Sequence, residues 1–113
     1  AYIHSLLGCI VMKLSTIASK AARELRWGQD DPYVPTTDRH CMIGAIIHYR
    51  LGHEHCLKST DDIPATDYYS HKTLKCSAKE SEAISIDKIW QKNDYGEGWD
   101  FARFAKEFKK LGI

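Results

Sequence analysis

Histidines and cysteines crowd the middle of this chain: His40-Cys41, His48, His53-Glu54-His55-Cys56, His71 and Cys76. Imidazole nitrogens and thiolates are the donors that Zn²⁺ takes, four at a time in a tetrahedron. The spacing matches none of the recognised zinc frameworks, and no Cys-x-x-Cys pair is present. The expectation is therefore no metal and no cofactor. If a metal site exists, its ligands should be His53, His55, Cys56 and Cys76, with His48 a turn or more away from these loop donors.

Cys41 carries a second possible chemistry. A thiol at a helix N-terminus is favoured as thiolate by the helix dipole, and His40 stands beside it as a base. A cysteine-dependent hydrolase would be built this way. The apolar neighbours Met42, Ile43, Ile46 and Ile47 instead turn Cys41 inward, and no glycine-rich turn precedes it to hold an oxyanion. No catalytic residue is assigned, and Cys41 with His40 is kept as the enzyme alternative.

Nucleic-acid binding is the other class. Arg103, Lys106, Lys109 and Lys110 give the closing segment a modest basic face. Thr16 to Leu25 has the look of the first helix of a helix-turn-helix, but Gly28 to Pro35, with two prolines, stands where the second helix would have to begin. The formal net charge is only +1, which gives no long-range attraction to a polyanion.

These residues need a scaffold, and composition bounds it. With 113 residues, 27% charged and 43% hydrophobic, the chain is one folded domain with a single core. Residues 1–12 hold no Lys, Arg, Asp or Glu and read as an apolar leader or added segment before a domain spanning 13–113. That stretch falls short of the roughly 20 apolar residues that cross a bilayer, so no membrane partner is expected. Cys9, Cys41, Cys56 and Cys76 read as reduced, structural thiols, which sets the protein in the cytoplasm.

The pattern along the chain is helical. Leu14, Ile17, Ala18, Ala21, Ala22 and Leu25 recur at steps of three and four, and Gly28 closes that helix. Residues Gln29 to Pro35 read as a loop because prolines deny both helix and ladder bonds. A central helix follows, apolar almost all round, capped by Thr37 or Asp38 and ended by Gly52. Its Gly44 and Ala45 read as a packing notch. Residues His53 to Cys76 show no period and read as a long irregular segment. Ser77-Ala78-Lys79-Glu80 matches a capping box, opening a helix toward Lys92. Phe101, Phe104, Ala105, Phe108 and Leu111 form the stripe of a last helix, capped by Asp100 and ended by Gly112. The expected fold is all-α: a compact bundle of about four helices around the central apolar helix. Ile43, Ile46, Ile47, Phe104, Phe108 and Trp27 should be buried together, the central helix covering the Phe stripe.

Three short motifs carry a resemblance: Trp27-Gly28-Gln29, Cys41-Met42-Ile43-Gly44-Ala45-Ile46, and Asn93-Asp94 before the closing helix. In this order the chain resembles a family of small phage and bacterial proteins without an assigned activity, marked by a Cys-x-x-Gly-Ala helix and a Trp-Asn-Asp turn. Lys92 stands where that pattern has Trp, with Trp90 two residues earlier. The resemblance implies that polar residues meet at one corner, and the function expected is that of an interaction or accessory module. The ligand-binding candidates are Trp27, Gln29, Arg39, His40, Asn93 and Asp94, and the partner is a protein or a small anionic ligand drawn to Arg39 and to the first-turn N–H groups.

Overall fold

The computed structural model describes residues 12–29, 33–58, 76–84, 92–93 and 98–113. Among these the order is α1 (Leu14–Glu24), β1 (Arg26–Trp27), β2 (Tyr33–Val34), β3 (Arg39–His40), α2 (Met42–Arg50), α3 (His53–Lys58), α4 (Ala78–Ile84) and α5 (Phe101–Leu111). Five helices and a three-stranded mixed sheet replace the expected all-α bundle. β3 is central, parallel to β1 and antiparallel to β2, pairing Trp27 with His40 on one side and Tyr33 with His40 on the other. The prolines did not prevent pairing because they flank Tyr33-Val34 and do not occupy it, while aromatic and β-branched residues favour extended backbone. Pro35 instead starts the turn, in which the Thr37 N–H donates to the Val34 carbonyl at 3.3 Å. Asp38 then takes the left-handed conformation, with φ 53°, before β3 begins.

The central helix begins later than expected. Thr37 lies in the turn and Asp38 precedes β3, so Cys41 is the residue that flanks α2 in extended conformation. Six consecutive residues, Met42 to Ile47, are buried. Gly52 ends this stretch with φ 109° and swings the chain directly into α3, a helix inside the segment expected to be irregular. The rest of that segment, with His71 and Tyr68-Tyr69, lies outside the described residues, as do residues 1–11, Asp94 and the Ile86 to Trp90 part of the α4 expectation.

Both predicted caps of the later helices are present. The Glu80 N–H donates to Ser77 Oγ at 3.1 Å and the Ser77 N–H to Glu80 Oε1 at 2.9 Å, a complete capping box. At α5 the Arg103 N–H donates to Asp100 Oδ1, while Gly112, at φ 75°, lets the Ile113 N–H reach the Phe108 carbonyl.

The core joins Leu14, Ile17, Ala18 and Ala21 of α1 to Ile43, Ile46 and Ile47 of α2 and to Phe101, Phe104 and Phe108 of α5. Two expectations change here. The Phe stripe lies chiefly against α1, not the central helix, because α1 offers the small residues Ala18 and Ala21 over which large rings can seat. Trp27 is only partly buried, edge-on to Phe101 at 5.1 Å, and Leu111 is exposed at the end of its stripe.

Candidate metal centre

Arg39 and His40, expected at one corner, divide between the two faces of β3. Successive side chains in a strand point oppositely, so Arg39 is exposed while His40 is buried. Arg39 Nη1 donates to the Trp27 carbonyl at 3.4 Å. Its Cβ also packs so closely on Gly28 that a Cβ added there would lie 2.6 Å away, which explains the glycine after Trp27. Gln29 is exposed at the end of that turn. Asn93 is buried and accepts the Met42 N–H at 2.8 Å through its side-chain oxygen. An asparagine oxygen thus occupies a first-turn donor that was expected to attract an anion.

On the opposite face His40 meets a different set. His48 comes from the last turn of α2, and His53 and Cys56 come from α3, where a spacing of three places them on one side of the helix. The Gly52 turn folds these two helices together. One donor atom from each of His40, His48, His53 and Cys56 lies within 4.8 Å of every other. His48 Nδ1 and His53 Nδ1 are 3.1 Å apart. This is near the edge of about 3.3 Å between two nitrogens of a zinc tetrahedron with bonds of about 2.0 Å. The Cys56 thiol donates to the Gly44 carbonyl at 3.5 Å, fully buried against α2.

Of the ligands expected from sequence, His53 and Cys56 belong to this group. His55 projects from the other side of α3, with Glu54 as its nearest charge at 3.9 Å. Cys76 lies beside the Arg50 guanidinium at 3.7 Å. His40 and His48 take their places. The local signal for three of the four was His48-x₄-His53-x₂-Cys56 around a glycine; the fourth needed the strand.

The group's electrostatics follow from burial. His40 is 1% exposed, and both its ring nitrogens lack a hydrogen-bond partner among the described residues. Burial, followed by the neighbouring His48 and His53, lowers its pKa to about 4, so it is neutral at pH 7. Burial and His53 also hold His48 below the usual range. The Cys56 thiol is pushed up to about 12 by burial and then by Cys41. Neutral imidazoles offer lone pairs; the thiol must give up its proton to ligate, and a divalent cation is the charge that would favour that loss.

Cys41 is fully buried, as its apolar neighbours implied. On α5, Arg103 and Lys110 both reach Glu107, at 3.1 and 3.4 Å, which reduces the net charge of the basic face. No helix among the described residues is long and apolar enough to cross a membrane. Comparison with protein-family models, curated proteins and solved structures gives no match. The site's chemistry therefore rests on its own geometry.

Proposed function

We propose that this protein is a small zinc-binding module in which His40, His48, His53 and Cys56 hold one Zn²⁺. The observation that carries this reading is the convergence of four such donors around the fully buried His40, whose two nitrogens have no partner among the described residues. An unsatisfied buried polar group costs about 1 to 3 kcal/mol, and a metal bond at one nitrogen would relieve part of that cost. Three nitrogens and one sulfur also form a borderline-soft donor set suited to zinc.

Four protein donors leave no position for a substrate, so the metal's role is structural and the protein is an interaction or accessory module, not an enzyme. The three strands are only two residues long each, and so small a sheet is marginal by itself. A metal bonded to His40 would fasten β3 to the α2–α3 pair and stabilise the whole sheet. Because Cys56 must stay reduced to ligate as a thiolate, a reducing, cytoplasmic compartment is the one that suits this reading.

Titration of the reduced, metal-free chain with Co²⁺ and Zn²⁺, followed by native mass spectrometry, tests the reading. One metal per chain is expected, with a sulfur-to-cobalt charge-transfer band that Cys56→Ser abolishes. Loss of binding in His40→Ala, alongside full retention in His55→Ala, would assign the ligands. A chain that takes up neither metal at neutral pH, or whose binding ignores both Cys56→Ser and His40→Ala, would overturn it.

A further inference from the structure

Tyr33 stands beside the metal ligands without being one of them. Its ring centroid is 4.6 Å from that of His40 and 4.9 Å from that of His53, the latter edge-on. It is the cross-strand partner of His40 in the β2–β3 ladder, so register alone places the two rings side by side. The ring is buried, and its hydroxyl donates to Asp38 Oδ1 at 3.0 Å. Asp38 reaches that position from a left-handed backbone conformation that L-residues adopt infrequently. A turn of this shape, tied across its mouth by a side-chain hydrogen bond, fixes the tyrosine's direction.

We propose that Tyr33, held by Asp38, is a positioning residue that walls one side of the metal site, fixing the planes of His40 and His53 and keeping water off the metal. The inference rests on the zinc reading above. His48 and His53 are only half-buried, so the site lies close to solvent, and an apolar wall is what keeps four-coordinate geometry from accepting a fifth ligand. The phenol itself is committed to Asp38, so it contributes its face and not an oxygen donor.

Tyr33→Phe keeps the ring and drops the bond to Asp38; Tyr33→Leu keeps bulk but removes the flat wall; Val34→Ala alters the same strand at the neighbouring position. Each variant is loaded with Co²⁺ for its visible spectrum and with Zn²⁺ for transfer to a chromophoric chelator. In Tyr33→Leu the tetrahedral cobalt bands should weaken, added imidazole should perturb them, and zinc transfer should quicken at least about 10-fold, the range expected for groups that orient metal ligands. Tyr33→Phe should show a smaller increase, and Val34→Ala should match the native chain. Circular dichroism and chelator-free stoichiometry of one confirm that each variant is folded and loaded; should Tyr33→Leu fail to fold, Tyr33→Phe and Asp38→Gly, which keeps the left-handed turn and removes the acceptor, carry the test, both requiring faster zinc transfer than native. If the native chain itself gives no cobalt spectrum, the zinc reading and the wall fall together. If the native spectrum is present and Tyr33→Leu, or its substitutes, leave spectrum and transfer rate unchanged, the wall alone is overturned.

Discussion

Two polar clusters flank α2, and they are built on opposite principles. At Arg50, the guanidinium is almost wholly buried yet donates to Glu80 Oε2 and to the Met12 carbonyl, both at 2.7 Å, and reaches Cys76 Sγ at 3.7 Å. Glu80 in turn accepts the Ser77 N–H, so one carboxylate both caps α4 and neutralises α2. At His40, an equally buried ring has no hydrogen-bond partner at either nitrogen among the described residues and lies beside two further imidazoles and a thiol. The first cluster is made up of complementary protein groups and explains itself as structure. In the second, His48 and His53 lie within hydrogen-bond distance of each other and the Cys56 thiol donates to the Gly44 carbonyl, but no group among the described residues answers either nitrogen of His40, the need that the proposed Zn²⁺ would meet. The difference separates a fold-holding contact from a candidate site more sharply than residue type does.

The largest expected effect breaks the first cluster. Glu80→Ala leaves the Arg50 charge buried without its carboxylate and should cost about 3 to 5 kcal/mol in urea denaturation. Zinc stoichiometry measured on the folded fraction should not change, since the two clusters share no residue. A loss of metal uptake would show that they are coupled through α2.

Acid should act on the second cluster. In the metal-free protein, His40 has a folded pKa of about 4 against the ordinary 6.5. Below 6.5 the unfolded chain takes up a proton that the folded chain refuses until about pH 4, so stability is lost as pH falls through that window and is flat above it. Between pH 7 and pH 5 the loss should be about 2 kcal/mol, read from chemical denaturation at each pH. His40→Leu should remove this component of the pH dependence.

The smallest effect sharpens the contrast by its sign. At pH 7, metal-free His40→Leu should be more stable than the native chain by about 1 kcal/mol, because an apolar group of similar size replaces an unsatisfied buried one. The same variant should lose the stabilisation that Zn²⁺ gives the native chain. A destabilised metal-free His40→Leu would place His40 with Arg50, as a residue the fold itself requires.

The start of α4, both ends of α5 and the buried face of α1 were legible because their signals are local. Asp100 and Gly112 bound α5, Ser77 and Glu80 cap α4, and the spacing from Leu14 to Ala21 marks the buried face of α1. The sheet was not legible: two-residue strands carry too little periodicity to compete with a helical reading of the same residues. That error propagated to the site. Read as helix, Arg39 and His40 belong to one corner; as strand they are sent to opposite faces. Likewise, treating His53 onward as irregular hid the turn of α3 that aligns His53 with Cys56.

What the sequence determined by itself was therefore the supply: an α2 apolar from Met42 to Ile47, an amphipathic α1 and α5, the caps of α4 and α5, and a local run of donors at His48, His53 and Cys56. Tertiary structure decided which donors meet. His40 joins them only because β3 lies between β1 and β2, and Tyr33 faces it only through that ladder's register. Asn93 reaches the Met42 N–H across 51 positions of sequence. Caps and periodicity act within one or two helical turns and are written in neighbouring residues, whereas strand pairing and a shared ligand sphere depend on packing among distant segments, which no local pattern records.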